Sequence, residues 1–204
     1  LTIYVSVNSF ASLRATLCLF KSPIYLMTRP LILYIAMSLD GYIAKDEDNL
    51  DFLSVVESPG EDYGYADFQK NVDTLIWGRK TYDKVLSFGI DFPHKDKKCY
   101  VLSKTRNGKD ENVEFYNGDV RNLIAQIRQR EGKAIYCDGG GQVVSELLKY
   151  ALIDRLIVSI VPHLVGNGAR LFLDGRPEQS LQLTRSITFP SGLVQLWYDR
   201  KEPG

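Results

Sequence analysis

The stretch Ala134-Ile135-Tyr136-Cys137-Asp138-Gly139-Gly140-Gly141-Gln142-Val143-Val144-Ser145-Glu146-Leu147-Leu148 decides the architecture. Ala134 to Cys137 reads as a short strand that runs straight into an acid and three glycines. Beyond them Val143, Val144, Leu147, Leu148 and Ala151 recur at helical spacing and make one apolar stripe. A strand, a tight glycine turn and an amphipathic helix form the repeating element of α/β sheets.

The same alternation extends in both directions. Leu31 to Met37 is a continuous apolar run closed by Ser38-Leu39-Asp40-Gly41, as expected of a strand buried on both faces. Thr74 to Trp77 is a second strand, followed by Gly78 and a helix-like segment from Thr81. Lys98 to Leu102 and Val113 to Tyr116 read as further strands. Asp119 is the expected N-cap of a helix carrying Leu123, Ile124 and Ile127 and ending at Gly132. Leu156 to Val161 is a β-branched strand, and Leu193 to Tyr198 closes the chain after a Pro190-Ser191-Gly192 turn. The most loop-like interior stretch is Thr105 to Asn112. These elements predict one α/β domain: a mixed, mostly parallel sheet flanked by helices, with an antiparallel C-terminal hairpin.

Composition narrows the function. The chain has 204 residues, 45% of them apolar, with 25 Lys plus Arg against 25 Asp plus Glu. That balance gives no basic field for nucleic acid or an anionic membrane, so the expected partner is a small molecule. Cys18, Cys99 and Cys137 share no CxxC spacing, and His94 and His163 are the only histidines. Neither a disulfide framework nor a metal site is expected, and reduced thiols fit a cytoplasmic protein. The first 26 residues hold no acid but carry Arg14 and Lys21, and Pro23 helps break their apolar runs below the roughly 18 residues that span a bilayer. They read as a transit segment or, preferably, as upstream sequence ahead of a start at Met27, with the domain over 27–204.

Two strand-to-helix turns carry the chemistry. Gly78-Arg79-Lys80-Thr81 adds two cations and a hydroxyl to a helix N-terminus, whose free N–H groups and dipole favour phosphate. Gly139-Gly140-Gly141-Gln142 lets a ligand approach the backbone where no Cβ intervenes. Neither is a Walker loop nor a strict GxGxxG, and either alone is more often an ordinary turn. Two such turns at strand ends imply a crevice for an extended, phosphate-bearing ligand.

In order, Tyr34 to Ala44, Leu75 to Tyr82, Tyr100 to Lys104 and Asp138 to Gly141 resemble the successive signatures of the dihydrofolate reductase superfamily. Ser38-Leu39-Asp40-Gly41, the Val161 to Gly168 segment and Leu171-Phe172 are more similar to the C-terminal reductase domain of the bifunctional riboflavin enzyme, RibD. The resemblance spans residues 31–199. It implies a dihydrofolate reductase-like three-layer fold and an NADPH-dependent reductase. Ala36 and Ile43 would line the nicotinamide end, and Gly78, Arg79, Lys80 and Thr81 would hold the phosphates. Ser103 and Lys104 would face the adenine ribose and its 2′-phosphate. Gly139, Gly140, Gly141 and Gln142, with Val143, would pack under the pyrophosphate. Asp51 falls where the folate enzymes carry their proton-donating carboxylate, though it also suits a helix N-cap, and Asp40 is a candidate substrate contact or turn residue. His163 reads as structural.

The departures shape the expected substrate. The HxE and PCxxC signature of a zinc deaminase is missing, which removes a bifunctional role. The Trp-rich first loop and Pro-bearing helix entry of folate-reducing enzymes are missing too. The resemblance therefore implies a substrate like 5-amino-6-(5-phosphoribosylamino)uracil, with dihydrofolate reduction and non-catalytic NADPH binding as alternatives. It also implies a homodimer.

Overall fold

Alternating side chains along each strand sort the core onto two sides of one sheet in the computed structural model, which describes residues 29–201. Residues 1–26, Met27 and Cys18 lie outside the described residues. The first strand is β1 (Leu31–Ser38), followed by the short β2 (Tyr42–Ala44), a 3-10 turn over Asp51–Val56 and helix α1 (Tyr65–Lys70). β3 (Val72–Gly78) leads directly into α2 (Arg79–Ser87), then β4 (Lys98–Leu102), β5 (Gly108–Lys109) and β6 (Glu114–Tyr116). α3 (Val120–Arg128), β7 (Ala134–Cys137), α4 (Gly141–Lys149), β8 (Arg155–Val161), β9 (Ala169–Arg170), β10 (Leu181–Thr188) and β11 (Val194–Arg200) complete the chain.

The main sheet runs β10-β11-β8-β1-β7-β3-β4-β6-β5. β8, β1, β7, β3, β4 and β6 are parallel, whereas β11, β10 and β5 pair antiparallel. The expected mixed sheet and C-terminal hairpin are both present. β10 is the edge strand and β11 lies inside it, because β11 pairs with β8 on its other side. β2 and β9 form a separate two-stranded ribbon with no counterpart in the sequence reading.

Leu31, Leu33, Ile135, Leu156 and Val158 face one way and pack with Leu123, Ile124, Ile127, Val144 and Leu147 of α3 and α4. Ile32, Tyr34, Leu75, Trp77, Val101 and Tyr136 face the other way, against Phe68 of α1 and Tyr82 of α2. Burying one such large apolar side chain contributes roughly 1.5–3 kcal/mol, so the alternation itself fixes the register. Asp119 caps α3 by accepting from the Arg121 N–H at 2.8 Å. α3 ends at Arg128 rather than at Gly132, which lies in the following loop where a side chain would strike Asp73 and Arg29. The Thr105–Asn112 loop contains the two residues of β5, which pair with β6.

Candidate active site

Strand order assembles the site. β1, β7, β3 and β4 are neighbours and parallel, so the segments leaving their C-terminal ends lie side by side. In open parallel sheets that edge is where ligands bind. The four segments begin at Leu39, Asp138, Arg79 and Ser103, and carry most of the residues singled out from the sequence.

The turns after β3 and β7 touch each other. A Cβ on Gly78 would sit 3.0 Å from Val143 Cγ2, and one on Gly140 would sit 3.2 Å from Thr81 Oγ1. A Cβ on Gly139 would sit 2.7 Å from Ile35 Cδ1, which ties the second turn to β1. Gly139 and Gly140 have φ of 97° and 78°, in the left-handed region that glycine occupies without strain. Gly141 is explained by the protein itself: the carbonyl oxygen of Arg170, on β9, fills the space a side chain would need.

Both helices leaving these turns begin on glycine, and neither has a side-chain cap, in contrast to α3 with Asp119. Their first-turn N–H groups are donors without intrahelical partners. Arg79 pairs with Asp83 at 2.8 Å, and the same carboxylate holds Arg106 at 3.1 Å. Lys80 and Lys104 are exposed and form no ion pair among the described residues. Ser103 is buried, and its Oγ accepts the N–H groups of Thr105 and Arg106 at 3.3 and 3.0 Å, leaving its own hydrogen to donate. Gln142 is exposed and Val143 buried, while Ile43 on β2 packs at the margin of the α3–α4 core. Uncapped helix starts, side-chain-free turns and four cations at one sheet edge fit a dinucleotide phosphate chain.

A cavity of about 710 Å³ opens beside β1, lined by Tyr34, Ala36, Leu53, Val56, Tyr63, Tyr65, Ser159 and Leu193, with Glu57, Glu61 and Asp62 at its rim. Its floor is a hydrogen-bonded set. Gln195 Nε2 donates to Tyr34 Oη at 3.0 Å and Ser159 Oγ at 3.2 Å, and Tyr34 donates to the Tyr63 carbonyl at 2.9 Å. Burial outweighs the Gln195 hydrogen bond and raises the Tyr34 pKa above its ordinary value. The sequence reading gave Ser159 and Gln195 no role. Their signal was a single polar residue inside an otherwise apolar strand, as in Leu156 to Val161 and Leu193 to Tyr198.

Asp40 and Asp51 stand elsewhere. Asp40 accepts the Ser38 hydroxyl at 2.5 Å and the N–H groups of Val165 and Gly166 at 3.0 and 2.7 Å. The Ser38 bond first, then those two N–H groups, bring its pKa down to about 2. The carboxylate thus latches the turn after β1 to the segment after β8. Asp51 opens the 3-10 turn rather than capping it, is 59% exposed and pairs with Lys45 at 3.0 Å. It lines a smaller cavity of about 390 Å³ with Leu50, Lys84 and Phe88, and not the one that holds Ala36. Asp138, by contrast, was read only as part of a motif. Its carboxyl is crowded by protein with a narrow opening to solvent, and burial pushes its pKa up to about 7 despite the Tyr136 hydroxyl that its ionised form accepts.

The fold and this edge define a dihydrofolate reductase-like α/β domain. The RibD C-terminal domain model matches residues 29–195, and the chain belongs to that family. It is 39% identical over 175 residues to the uncharacterized Bacillus subtilis (strain 168) protein YwjB, covering 85% of this chain and 99% of that one. A structure from Shewanella sp. PV-4, of a protein assigned to riboflavin biosynthesis, matches with TM-score 0.79 and 35% identity over 85% of this chain and 99% of that one. Dihydrofolate reductase from Enterococcus faecalis, solved with NADP(H), shares the fold at TM-score 0.59 and 18% identity, covering 85% and 97%. Family and fold together make this a domain of the reductase type.

Proposed function

We propose that the chain is an NADPH-dependent reductase that delivers a hydride to a small heterocyclic substrate held in the Tyr34–Tyr65 cavity. One observation carries this reading: Ala36, expected at the nicotinamide end, lines that cavity from β1, while Gly139 of the phosphate-side turn packs on the adjacent Ile35. When bound, the reduced nicotinamide supplies the hydride. The first turns of α2 and α4 and Arg79 would hold the phosphates, and Ser103, Lys104 and Arg106 the 2′-phosphate. Tyr34, Ser159 and Gln195 orient the substrate ring from the floor, and the walls of Leu53, Val56 and Leu193 keep water from it.

The resemblance names 5-amino-6-(5-phosphoribosylamino)uracil as substrate. The cavity favours a second reading, an unphosphorylated amino-bearing ring of the pterin kind. Among the described residues its lining includes Glu57, Glu61 and Asp62 but no lysine or arginine to meet a substrate phosphate. Paired activity assays with the phosphorylated compound and with dihydrofolate separate the two.

The cofactor is tested by titrating NADPH and NADH into wild type and an Arg79→Ala, Lys104→Ala variant. Loss of two charge-assisted hydrogen bonds is expected to weaken NADPH about a hundredfold, and NADH, which has the pyrophosphate facing Arg79 but no 2′-phosphate for Lys104, only about tenfold. Wild type that binds neither nucleotide would overturn the proposal.

A further inference from the structure

We propose that Asp138, Tyr136 and Tyr65 form a proton relay that ends in the reducing cavity, with Asp138 as the proton reservoir. The inference rests on the reductase reading and supplies the proton that reading needs. Reducing a C=N bond adds a hydride to carbon and a proton to nitrogen. The reduced nicotinamide nucleotide already proposed is the two-electron donor, and the relay provides the proton. Tyr65 gives its hydroxyl proton to the substrate nitrogen and takes one from Tyr136, which takes one from the Asp138 carboxyl. Asp138 is left as a carboxylate and regains a proton from solvent.

The placement of the three groups carries the argument. Asp138 and Tyr136 are two residues apart along the β7 direction, and their side chains hydrogen-bond on the α1 side of the sheet. Tyr65, on α1, lies beside Tyr136 with ring centroids 6.3 Å apart, and the two hydroxyls interact. Tyr65 also lines the cavity, which Asp138 does not reach directly.

Hydrogen counting says which group holds the proton. The Tyr136 hydroxyl lies within bonding distance of both Asp138 Oδ1 and the Tyr34 carbonyl, the latter at 3.3 Å. One hydroxyl hydrogen makes one well-aligned hydrogen bond at a time. Both contacts are satisfied when Asp138 is protonated and donates to Tyr136, whose own hydrogen rests on the Tyr34 carbonyl and turns to the Tyr65 hydroxyl when the relay delivers a proton. Asp138 is also not used as a cap. It lies just ahead of α4, whose start has no side-chain cap, yet it turns away from that helix towards Tyr136.

The ionisable groups facing Asp138 are Tyr136 on β7 and Tyr65 on α1, with Tyr34 on β1 behind them and Glu61 and Asp62 acting on Tyr34 from the rim. All are neutral or acidic, so none favours the carboxylate by charge. Burial raises both tyrosines, which keeps their hydroxyls protonated and able to donate. The raised Asp138 pKa agrees with the geometry and places the reservoir near neutrality, where a general acid both holds and releases its proton.

The test needs neither cofactor nor substrate, so its failure is separable from failure of the reductase reading. The ¹³Cγ signal of Asp138 and the ¹³Cζ signals of Tyr65 and Tyr136 are followed from about pH 5 to about pH 9 in the full chain. Three proteins are compared: wild type, Asp138→Asn and Tyr136→Phe. A relay requires Asp138 to titrate near 7 and both tyrosine signals to move with the same midpoint. Asp138→Asn then removes that movement. Tyr136→Phe keeps an Asp138 titration but silences Tyr65, and it remains informative if Asp138→Asn does not fold. An Asp138 midpoint in the ordinary carboxylate range, or a Tyr65 signal that ignores Asp138, overturns the proposal.

Discussion

The helix starts after β3 and β7 occupy the same edge of the same sheet, yet they are glycine-bearing for different reasons. Gly78 has φ −82° and ψ 151°, a conformation open to any residue, and its neighbour is the movable tip of Val143. The second turn is constrained by its own backbone. Gly139 and Gly140 are left-handed, and Gly141 lies under the Arg170 carbonyl. The first turn carries its cations outward, whereas the second carries a secluded acid and meets the core through Ile35 and Tyr136. One is a binding surface laid on the fold, and the other is a fold element that also forms part of the site. Substitutions in the first should register in ligand affinity, those in the second in stability.

The largest effect is expected at Gly141. Its Cβ would meet backbone rather than a flexible side chain, so either β9 moves away or α4 shifts. Gly141→Ala is expected to destabilise by about 4 kcal/mol or more, measured as a lowered denaturant midpoint. A wild-type midpoint would mean that β9 is loosely held and that the two turns differ less than their geometry implies.

Gly141 also marks the limit of what the sequence discloses. The strands and helices were legible because apolar periodicity is local. Ala134 to Cys137 and the Val143 to Leu148 stripe need no knowledge of the rest of the chain. The side-by-side packing of the two turns was anticipated from motif order, and the strand order places it there. The close approach of Arg170 was not legible, since β2 and β9 are too short to show a period and meet from 125 or more residues apart. The cavity floor was hidden for the same reason: Tyr34, Tyr63, Ser159 and Gln195 come from four separate segments. Asp51 was chosen by its place along the chain, and the fold puts it at the surface. Asp138 stood in the quoted motif, but only burial beside Tyr136 gives its carboxyl an unusual proton affinity.

That affinity provides the next test. Asp138 has a folded-state pKa of about 7 against the ordinary aspartate value of 3.8, so the folded chain keeps a proton that the unfolded chain releases. Its stabilising contribution is complete below 3.8 and is lost as the pH rises through about 7. Between pH 4 and pH 8 wild type is expected to lose roughly 2–3 kcal/mol relative to Asp138→Asn, allowing for the partial opening of the site. Urea unfolding of both proteins at the two pH values measures it. Parallel pH dependence would place Asp138 in ordinary solvent and bring the second turn closer in character to the first.

The smallest effect is expected at Gly78, where it most sharpens the contrast. A methyl group there needs no change of φ, and Val143 has only to yield by a few tenths of an ångström. Gly78→Ala should therefore cost about 1 kcal/mol of stability, within the usual range of a tolerated overpacking. Its effect on binding should be larger in proportion, because the added carbon stands at the uncapped start of α2, where a phosphate oxygen would otherwise approach the N–H groups. NADPH affinity falling tenfold or so with little change in denaturant midpoint would mark the first turn as a ligand surface. Equal losses of stability at Gly78 and Gly141 would instead make both turns structural joints, and the uncapped start of α2 would no longer argue for a phosphate site.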